Sequence, residues 1–258
     1  MKALISNDDG INASGILAAK EAISDLADIT IVAPSTQQSG IGRALTLFEP
    51  LRIDPTRLKD GTVGYSISGT PTDSVTLGIF EILEDTPDFM ISGINIGHNT
   101  GKSELTTSGT VGAAIEAASY GIPSIAVSLQ VNRGDIKFEN DFIDIDFKFA
   151  KKILRKVTKN VISKKLPENV DLINLNIPAK PKSEKIKIVK LGKRMYSPII
   201  KTRSDPRGKP YYWIDGIPYN KDDENTDGYC LINEGISTLT PISIDNTSNI
   251  KGLRNWID

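Results

Sequence analysis

Short apolar runs alternate with helical periods through the first 130 residues, and few folds accommodate that pattern. Lys2–Ser6 is an apolar run that stops at the turn signal Asn7-Asp8-Asp9-Gly10. Ile16, Leu17, Ala19, Ile23 and Leu26 then recur at a helical period, which predicts a helix over Ala13–Ala27. Ile29–Ala33, Leu45–Leu47, Leu51–Ile53, Val63–Ile67, Phe89–Ser92 and Ser124–Leu129 read as strands. Between them lie a helix opening at Thr70-Pro71 and reaching Leu83, and a small-residue helix from Ser108 or Thr110 to Tyr120. Strand and helix at this spacing predict an α/β fold with a mostly parallel sheet covered on both faces. Such sheets bind ligands beyond the carboxyl ends of their strands.

After residue 130 the pattern changes. Phe142–Val161 reads as one amphipathic Lys-rich helix, Asp171–Ile177 and Ile186–Leu191 as strands, and Asp205–Gly208 as a turn. Tyr211–Ile214 and Ser237–Ile244 read as strands of an extended, hairpin-rich tail. We expect a core over residues 1–135, with residues 136–258 completing it and supplying the tail. A tail with so little core of its own argues for burial against a second subunit.

Composition narrows the chemistry. One Cys excludes a disulfide framework within the chain, and one His excludes His-pair metal motifs. No run approaches the roughly 18 apolar residues of a membrane span, and the N-terminus lacks a signal-peptide pattern. A cytoplasmic protein is expected. Charge is unevenly spread: residues 151–210 carry 18 basic and 4 acidic side chains, whereas residues 1–150 carry 10 and 20. The basic stretch reads first as a solvated helix face, and second as a surface able to steer polyanions. It has few aromatics to stack bases, so no stable nucleic-acid complex is expected. Tyr211, Tyr212 and Trp213 read as packing within the tail or at a subunit contact.

Four segments follow strands or open a helix. Asn7-Asp8-Asp9-Gly10 offers adjacent carboxylates, whose repulsion a hard dication relieves, or else a plain Asx turn. Gln37-Gln38-Ser39-Gly40 offers a hydroxyl in a loop. Gly93–Asn99 offers the carboxamide of Asn95 among glycines that admit close backbone approach. Ser108-Gly109-Thr110 opens a helix whose free N–H groups and dipole suit an anion, though capping alone also explains the hydroxyls. Oxygen donors of this kind suit Mg²⁺ or Mn²⁺ rather than zinc, and a phosphate seat beside such a cation implies phosphoryl chemistry.

The segments ISNDDGI, VAPSTQQSG, SGTPTDSV, ISGINIGHN, SGTVGAAIEA, GIPSIAVSL, DPRGKPYYW and STLTPI, in this order along nearly the whole chain, resemble the SurE (survival protein E) nucleotidase family. The resemblance implies a Rossmann-like three-layer core with a C-terminal appendage that is exchanged in a homodimer or dimer of dimers. It implies a phosphomonoesterase acting on nucleoside 5′- and 3′-monophosphates with one divalent cation per subunit; short polyphosphate as a further substrate follows from the basic stretch 151–210 and its attraction for polyanions. Carried onto this chain, the metal ligands are Asp8, Asp9, Ser39 and Asn95, with Asp8 and Asp9 also catalytic. Asn95, Asn99, Ser108, Gly109 and Thr110 then contact substrate. Thr107 stands where the family often has Tyr, and His98 reads as a solvent-facing loop residue rather than a shared catalytic group.

Two rivals remain at this level. Ile96–Ser103 nearly matches the P-loop pattern, but Ile96 stands where Gly is required. A nucleotide- or metal-binding sensor without turnover has the same ligands, because a fold does not guarantee chemistry.

Overall fold

Apolar residues at successive positions of β1 (Lys2–Ser6) point to opposite faces: Leu4 packs into one core and Ile5 into another, and both are fully buried. A strand buried on both sides needs helices on both sides, and the structure supplies them. The structure, a computed structural model, describes residues 1–131, 145–219, 221–248 and 250–257. In chain order, β1 is followed by α1 (Ser14–Ile23), β2 (Asp28–Pro34), β3 (Ile53–Arg57), β4 (Val63–Ile67) and α2 (Pro71–Leu77). A π-helical turn, Gly78–Ile82, extends α2. Next come β5 (Phe89–Ile96), α3 (Lys102–Thr107), α4 (Gly109–Ser119) and β6 (Ser124–Leu129). The second half contains α5 (Lys148–Lys164), β7 (Leu172–Ile177), β8 (Ile186–Ile188), β9 (Tyr196–Ser204) and β10 (Pro210–Pro218), then α6 (Asp227–Tyr229), β11 (Ser237–Ile242) and α7 (Ile250–Ile257).

Nine strands form one sheet in the order β3-β4-β2-β1-β5-β6-β7-β11-β8. The six from β4 to β7 are parallel, β3 and β11 run antiparallel to their neighbours β4 and β7, and β8 is parallel to β11. Helices α1 and α5 cover one face through Ile16, Ile23, Ile153, Leu154 and Val157. Helices α2 and α4 cover the other through Val75, Ala113, Ala117, Val111 and Ala114. The expected three-layer α/β core is therefore present. From β1 the chain moves to β2 on one side and, later, from β5 to β6 on the other. The loops after β1 and β5 therefore part at the topological switch point, where doubly wound sheets bind ligands.

The caps behave as the sequence indicates. The Thr70 hydroxyl accepts from the Asp73 N–H at 3.1 Å, and the Asp73 carboxylate accepts from the Thr70 N–H at 2.8 Å, a reciprocal capping box with Pro71 at the first helical position. The Asp205–Gly208 turn is present, with the Asp205 side chain accepting from the Arg207 and Lys209 amides.

Several expectations need correction. Leu45–Leu47 is an irregular loop, because α2's cap residues take its backbone groups: the Thr46 N–H donates to Asp73 at 3.0 Å and the Ala44 carbonyl accepts from Thr70 at 2.7 Å. The strand expected at Leu51–Ile53 lies at Ile53–Arg57 instead. β5 runs on to Ile96, so the expected loop from Gly93 is partly strand. The Lys-rich helix occupies Lys148–Lys164; positions 142–144 of the expected span lie outside the described residues. β9 was not expected at all; its partner β10 supplies the ladder that stabilises it. Tyr211, Tyr212 and Trp213 are 40, 63 and 62% exposed, so within one chain they do not pack into the tail. The lysines of α5 are a solvated helix face tied to neighbouring acids, Lys151 to Glu21 and Arg155 to Asp25. No helix among the described residues is long and apolar enough to cross a membrane.

Candidate active site

β1 delivers the first carboxylates. Asn7 closes an Asx turn, its side chain accepting from the Gly10 N–H at 3.1 Å and donating to the Gly10 carbonyl at 3.0 Å. The bland reading of this segment thus describes Asn7, and it leaves Asp8 and Asp9 to face the strand ends. Asp8 is 3% exposed and accepts a 2.6 Å hydrogen bond from the Thr110 hydroxyl at the start of α4. Its side chain lies against Gly109: a Cβ on that glycine would stand 2.8 Å from the Asp8 Cβ and 3.2 Å from its Oδ2. A carboxylate at a helix N-terminus is favoured by the dipole.

The other loops close on the same point. The Gln38 N–H donates to the Asp8 carbonyl at 2.7 Å. Gln37 donates to the Ser39 hydroxyl at 3.1 Å and makes a longer contact of 3.4 Å with Asp9. Asp9 accepts from the Ile96 N–H at 3.1 Å, beside Asn95. Asn95 is 2% exposed and follows a β-bulge between Ser92 and Asn95, a device that re-aims a strand residue. Its amide donates to the Gly97 carbonyl at 2.5 Å. Ser39 is exposed and Asp9 half-buried, so the cluster opens to solvent on their side.

The anion side is built on α4. The Ser108 hydroxyl caps the helix by accepting from the Val111 N–H at 3.2 Å. The Gly109 and Thr110 amides, in the first turn, have no acceptor within the helix. The Thr110 hydroxyl proton is engaged by Asp8, so Thr110 orients that carboxylate. Asn99 donates to Ser128 at 2.9 Å and approaches Thr110 at 3.5 Å. Its main chain is gripped by β7: Asn176 accepts from the Asn99 N–H at 2.7 Å, and Asn174 donates to the Asn99 carbonyl at 2.8 Å.

All the residues singled out from sequence thus lie on linked loops at one sheet edge. Asn174, Asn176 and Ser128 were missed. The alternation of Asn174 and Asn176 in the otherwise apolar run Leu172–Ile177 is the signal that marks a polar stripe on one strand face. Arg43 and Glu116 were missed too. Glu116 is 2% exposed, bonds Arg43 at 2.6 Å and ties the Ser39 loop to α4. His98 is not the solvent-facing residue expected: it is half-buried, its Nδ1 lies 3.0 Å from the Thr100 hydroxyl, and burial pulls its pKa down to about 4. It is therefore neutral at pH 7.

The P-loop reading is overturned by what its amides do. A P-loop needs free N–H groups to cradle phosphates. Here the amides of Gly97, Asn99, Gly101, Lys102 and Ser103 donate to Leu129, Asn176, Asp227, Gly192 and Lys193. A cavity of about 480 Å³ is also not the site; Met1, Asp88, Pro123 and Asp171 line it, at the opposite edge of the sheet.

The donor set fits a hard dication. It comprises the carboxylates of Asp8 and Asp9 on one turn, the Ser39 hydroxyl on a second loop and the Asn95 carboxamide near the end of β5, all oxygen donors, and no group of three His, Cys, Asp or Glu side chains that could hold a metal is present among the described residues. A doubly wound α/β fold with these oxygen donors and a helix N-terminus on the loops at its switch point is of the Rossmann-like class. Residues 3–198 match Survival protein SurE. The chain is 61% identical to a protein of Methanobrevibacter smithii named 5′-nucleotidase SurE, with all of both chains covered. It is 48% identical to the protein of that name from Methanosphaera stadtmanae, again over both full lengths. The crystal structure of SurE from Aquifex aeolicus superposes with a TM-score of 0.81 at 34% identity, covering both chains completely. The chain belongs to the SurE family.

Proposed function

We propose that this protein is a divalent-metal-dependent 5′-nucleotidase that hydrolyses nucleoside monophosphates to nucleoside and phosphate. The observation that carries the reading is that the Asp8–Asp9 turn is tied to the N-terminus of α4 by the Thr110–Asp8 bond, to the end of β5 beside Asn95 by the Ile96–Asp9 bond, and to the Ser39 loop through Gln37. The relatives named 5′-nucleotidase SurE support it.

Asp8, Asp9, Ser39 and Asn95 would hold one Mg²⁺ or Mn²⁺. When bound, such a cation polarises a phosphoryl oxygen and makes water a stronger nucleophile. The Gly109 and Thr110 amides, the Ser108 hydroxyl proton and the Asn99 amide orient the phosphoryl group and stabilise the charge that spreads over its oxygens. Asp8, fixed by Thr110, is placed to take the proton of the attacking water. The nucleoside leaves with its oxygen reprotonated from solvent on the open side formed by Asp9 and Ser39. No serine here has an activating base, since His98 bonds Thr100. The proposed mechanism therefore uses water, not a serine, as the nucleophile.

Phosphate release from AMP with Mn²⁺ is the test. Turnover that excess EDTA abolishes is expected; full activity in EDTA, or nucleotide binding without turnover as a sensor would show, overturns the reading. The same assay with 3′-AMP and short polyphosphate defines the substrate range, which we place within this activity. The absence of a long apolar helix among the described residues and the buried free thiol of Cys230 support a cytoplasmic setting.

We also propose that the tail pairs two subunits. Ile200, Tyr212 and Ile214 on the β9–β10 ribbon are 57, 63 and 82% exposed, and Trp256 on α7 is 80% exposed. Apolar surface of that kind is normally covered by a partner. Light scattering at micromolar concentration is expected to give a dimer or a dimer of dimers, and a monomer contradicts the assignment.

A further inference from the structure

The segment Gly97–Glu104, a failed P-loop, has another use. Its amides meet the base of the β9–β10 arm residue by residue. Lys102 N–H donates to the Gly192 carbonyl at 3.0 Å and Ser103 N–H to the Lys193 carbonyl at 3.3 Å. Gly101 packs so closely on Arg194 that a Cβ there would stand 2.7 Å from the Arg194 Cα. The Glu104 carboxylate lies against the backbone amides of Met195 and Tyr196. At the centre is Asp227, fully buried, which accepts from Gly101 N–H at 2.8 Å, Gly192 N–H at 2.7 Å and Gly228 N–H at 2.8 Å. Its own N–H donates to the Lys190 carbonyl at 3.0 Å.

Among the described residues the arm is a separate two-stranded sheet with no ladder to the main one, and this joint ties its base to the body. Two residues before Gly101 stands Asn99, which leads to Thr110 and so to Asp8. We propose that Asp227 is a positioning residue that fastens the arm's base to Gly97–Glu104 and thereby fixes Asn99 at the phosphate end of the site. The kinetic part of this inference rests on the nucleotidase reading. Burial, with the nearby Asp222 carboxylate adding to it, raises the Asp227 pKa, and the three N–H donors pull it back only in part; three N–H donors on two oxygens match a carboxylate and do not match a carboxamide. An Asn there turns an N–H toward a backbone N–H, and at least one of the three segments is released.

Two variants test it. Asp227→Asn breaks the hub. Lys102→Pro removes the N–H that reaches Gly192 and puts the ring Cδ against that carbonyl, separating the loop from the arm's base, while the first position of α3 itself tolerates Pro. Lys102→Ala keeps that N–H and serves as its control. Three quantities are compared with wild type: AMP kinetics, the Mn²⁺ concentration for half-activation, and amide hydrogen exchange over residues 97–101. In Asp227→Asn the KM for AMP and the inhibition constant of inorganic phosphate are expected to rise together, about tenfold, with kcat changed less. Half-activation by Mn²⁺ stays within about twofold, because the proposed ligands are not held by Asp227. Exchange at 97–101 quickens about tenfold or more in Asp227→Asn and in Lys102→Pro but not in Lys102→Ala. Wild-type KM and wild-type exchange in both breaking variants overturn the inference. So does a parallel loss of phosphate and Mn²⁺ binding, which marks general loosening. If Asp227→Asn does not fold, the Lys102→Pro and Lys102→Ala pair decides alone. If the wild-type protein does not hydrolyse AMP, the nucleotidase reading fails, while the exchange comparison still decides whether Asp227 holds the loop.

Discussion

Asp8→Asn is expected to reduce phosphatase activity by about a thousandfold or more while leaving the fold nearly intact. The substitution keeps the shape of the side chain and removes its charge. The Thr110 hydroxyl, 2.6 Å away, can still donate to the remaining carbonyl oxygen, so α4 stays docked. A carboxylate that both holds a dication and takes a proton loses both roles at once, and the two losses multiply in the rate. Weaker Mn²⁺ binding should accompany the kinetic loss, because an amide oxygen carries no formal charge to oppose the cation's. Steady-state AMP hydrolysis together with a Mn²⁺ titration checks this. Wild-type turnover in the variant would remove Asp8 from the mechanism.

Gly15→Ala should have the largest effect on stability. Inside a helix, Gly to Ala ordinarily stabilises by about 1 kcal/mol, because glycine loses more backbone freedom on folding. The surroundings of Gly15 reverse that sign. A Cβ would stand 1.9 Å from the Ile94 carbonyl oxygen and 3.0 Å from the carbonyl carbon. Neither is the end of a flexible side chain; both are backbone of β5. Relief requires α1 to move away from the sheet or β5 to shift at the bulge that aims Asn95. Overpacking a well-packed core typically costs 1–3 kcal/mol, and a clash with rigid backbone belongs at or above the top of that range. We expect a net loss of about 3 kcal/mol in denaturant unfolding and a fall in activity beyond what the lost stability explains. A variant as stable as wild type would mean that α1 and β5 can separate at no cost.

Much of the core was legible in the sequence because its signals are local. Strand Ser124–Leu129 and the α2 cap at Thr70-Pro71-Thr72-Asp73 depend on residues a few positions apart, and those positions carry the information. The β9–β10 ribbon was half missed, since Tyr196–Ser204 has no strong alternation and becomes a strand through its register with Pro210–Pro218. Leu45–Leu47 failed for the opposite reason: its composition suits a strand, but no neighbour pairs with it and the α2 cap takes its backbone.

The candidate site divides in the same way. The segments that carry Asp8, Asp9, Ser39, Asn95 and Ser108–Thr110 stood out because they follow strands or open a helix, which chain order alone marks; their choice as ligands and phosphate contacts came from the family resemblance. How they meet was not visible in the chain order. That the Thr110 hydroxyl orients Asp8, and that the Gly97–Ser103 amides hold the arm instead of a phosphate, are contacts between segments as much as 126 residues apart. Composition, periodicity and turn chemistry act within one or two turns of chain, so the sequence by itself determined the layered α/β class and which loops carry polar groups. Which atoms of those groups meet, and which are already engaged, depended on the order in which the strands lie side by side, a choice made only when the whole sheet closes its two cores.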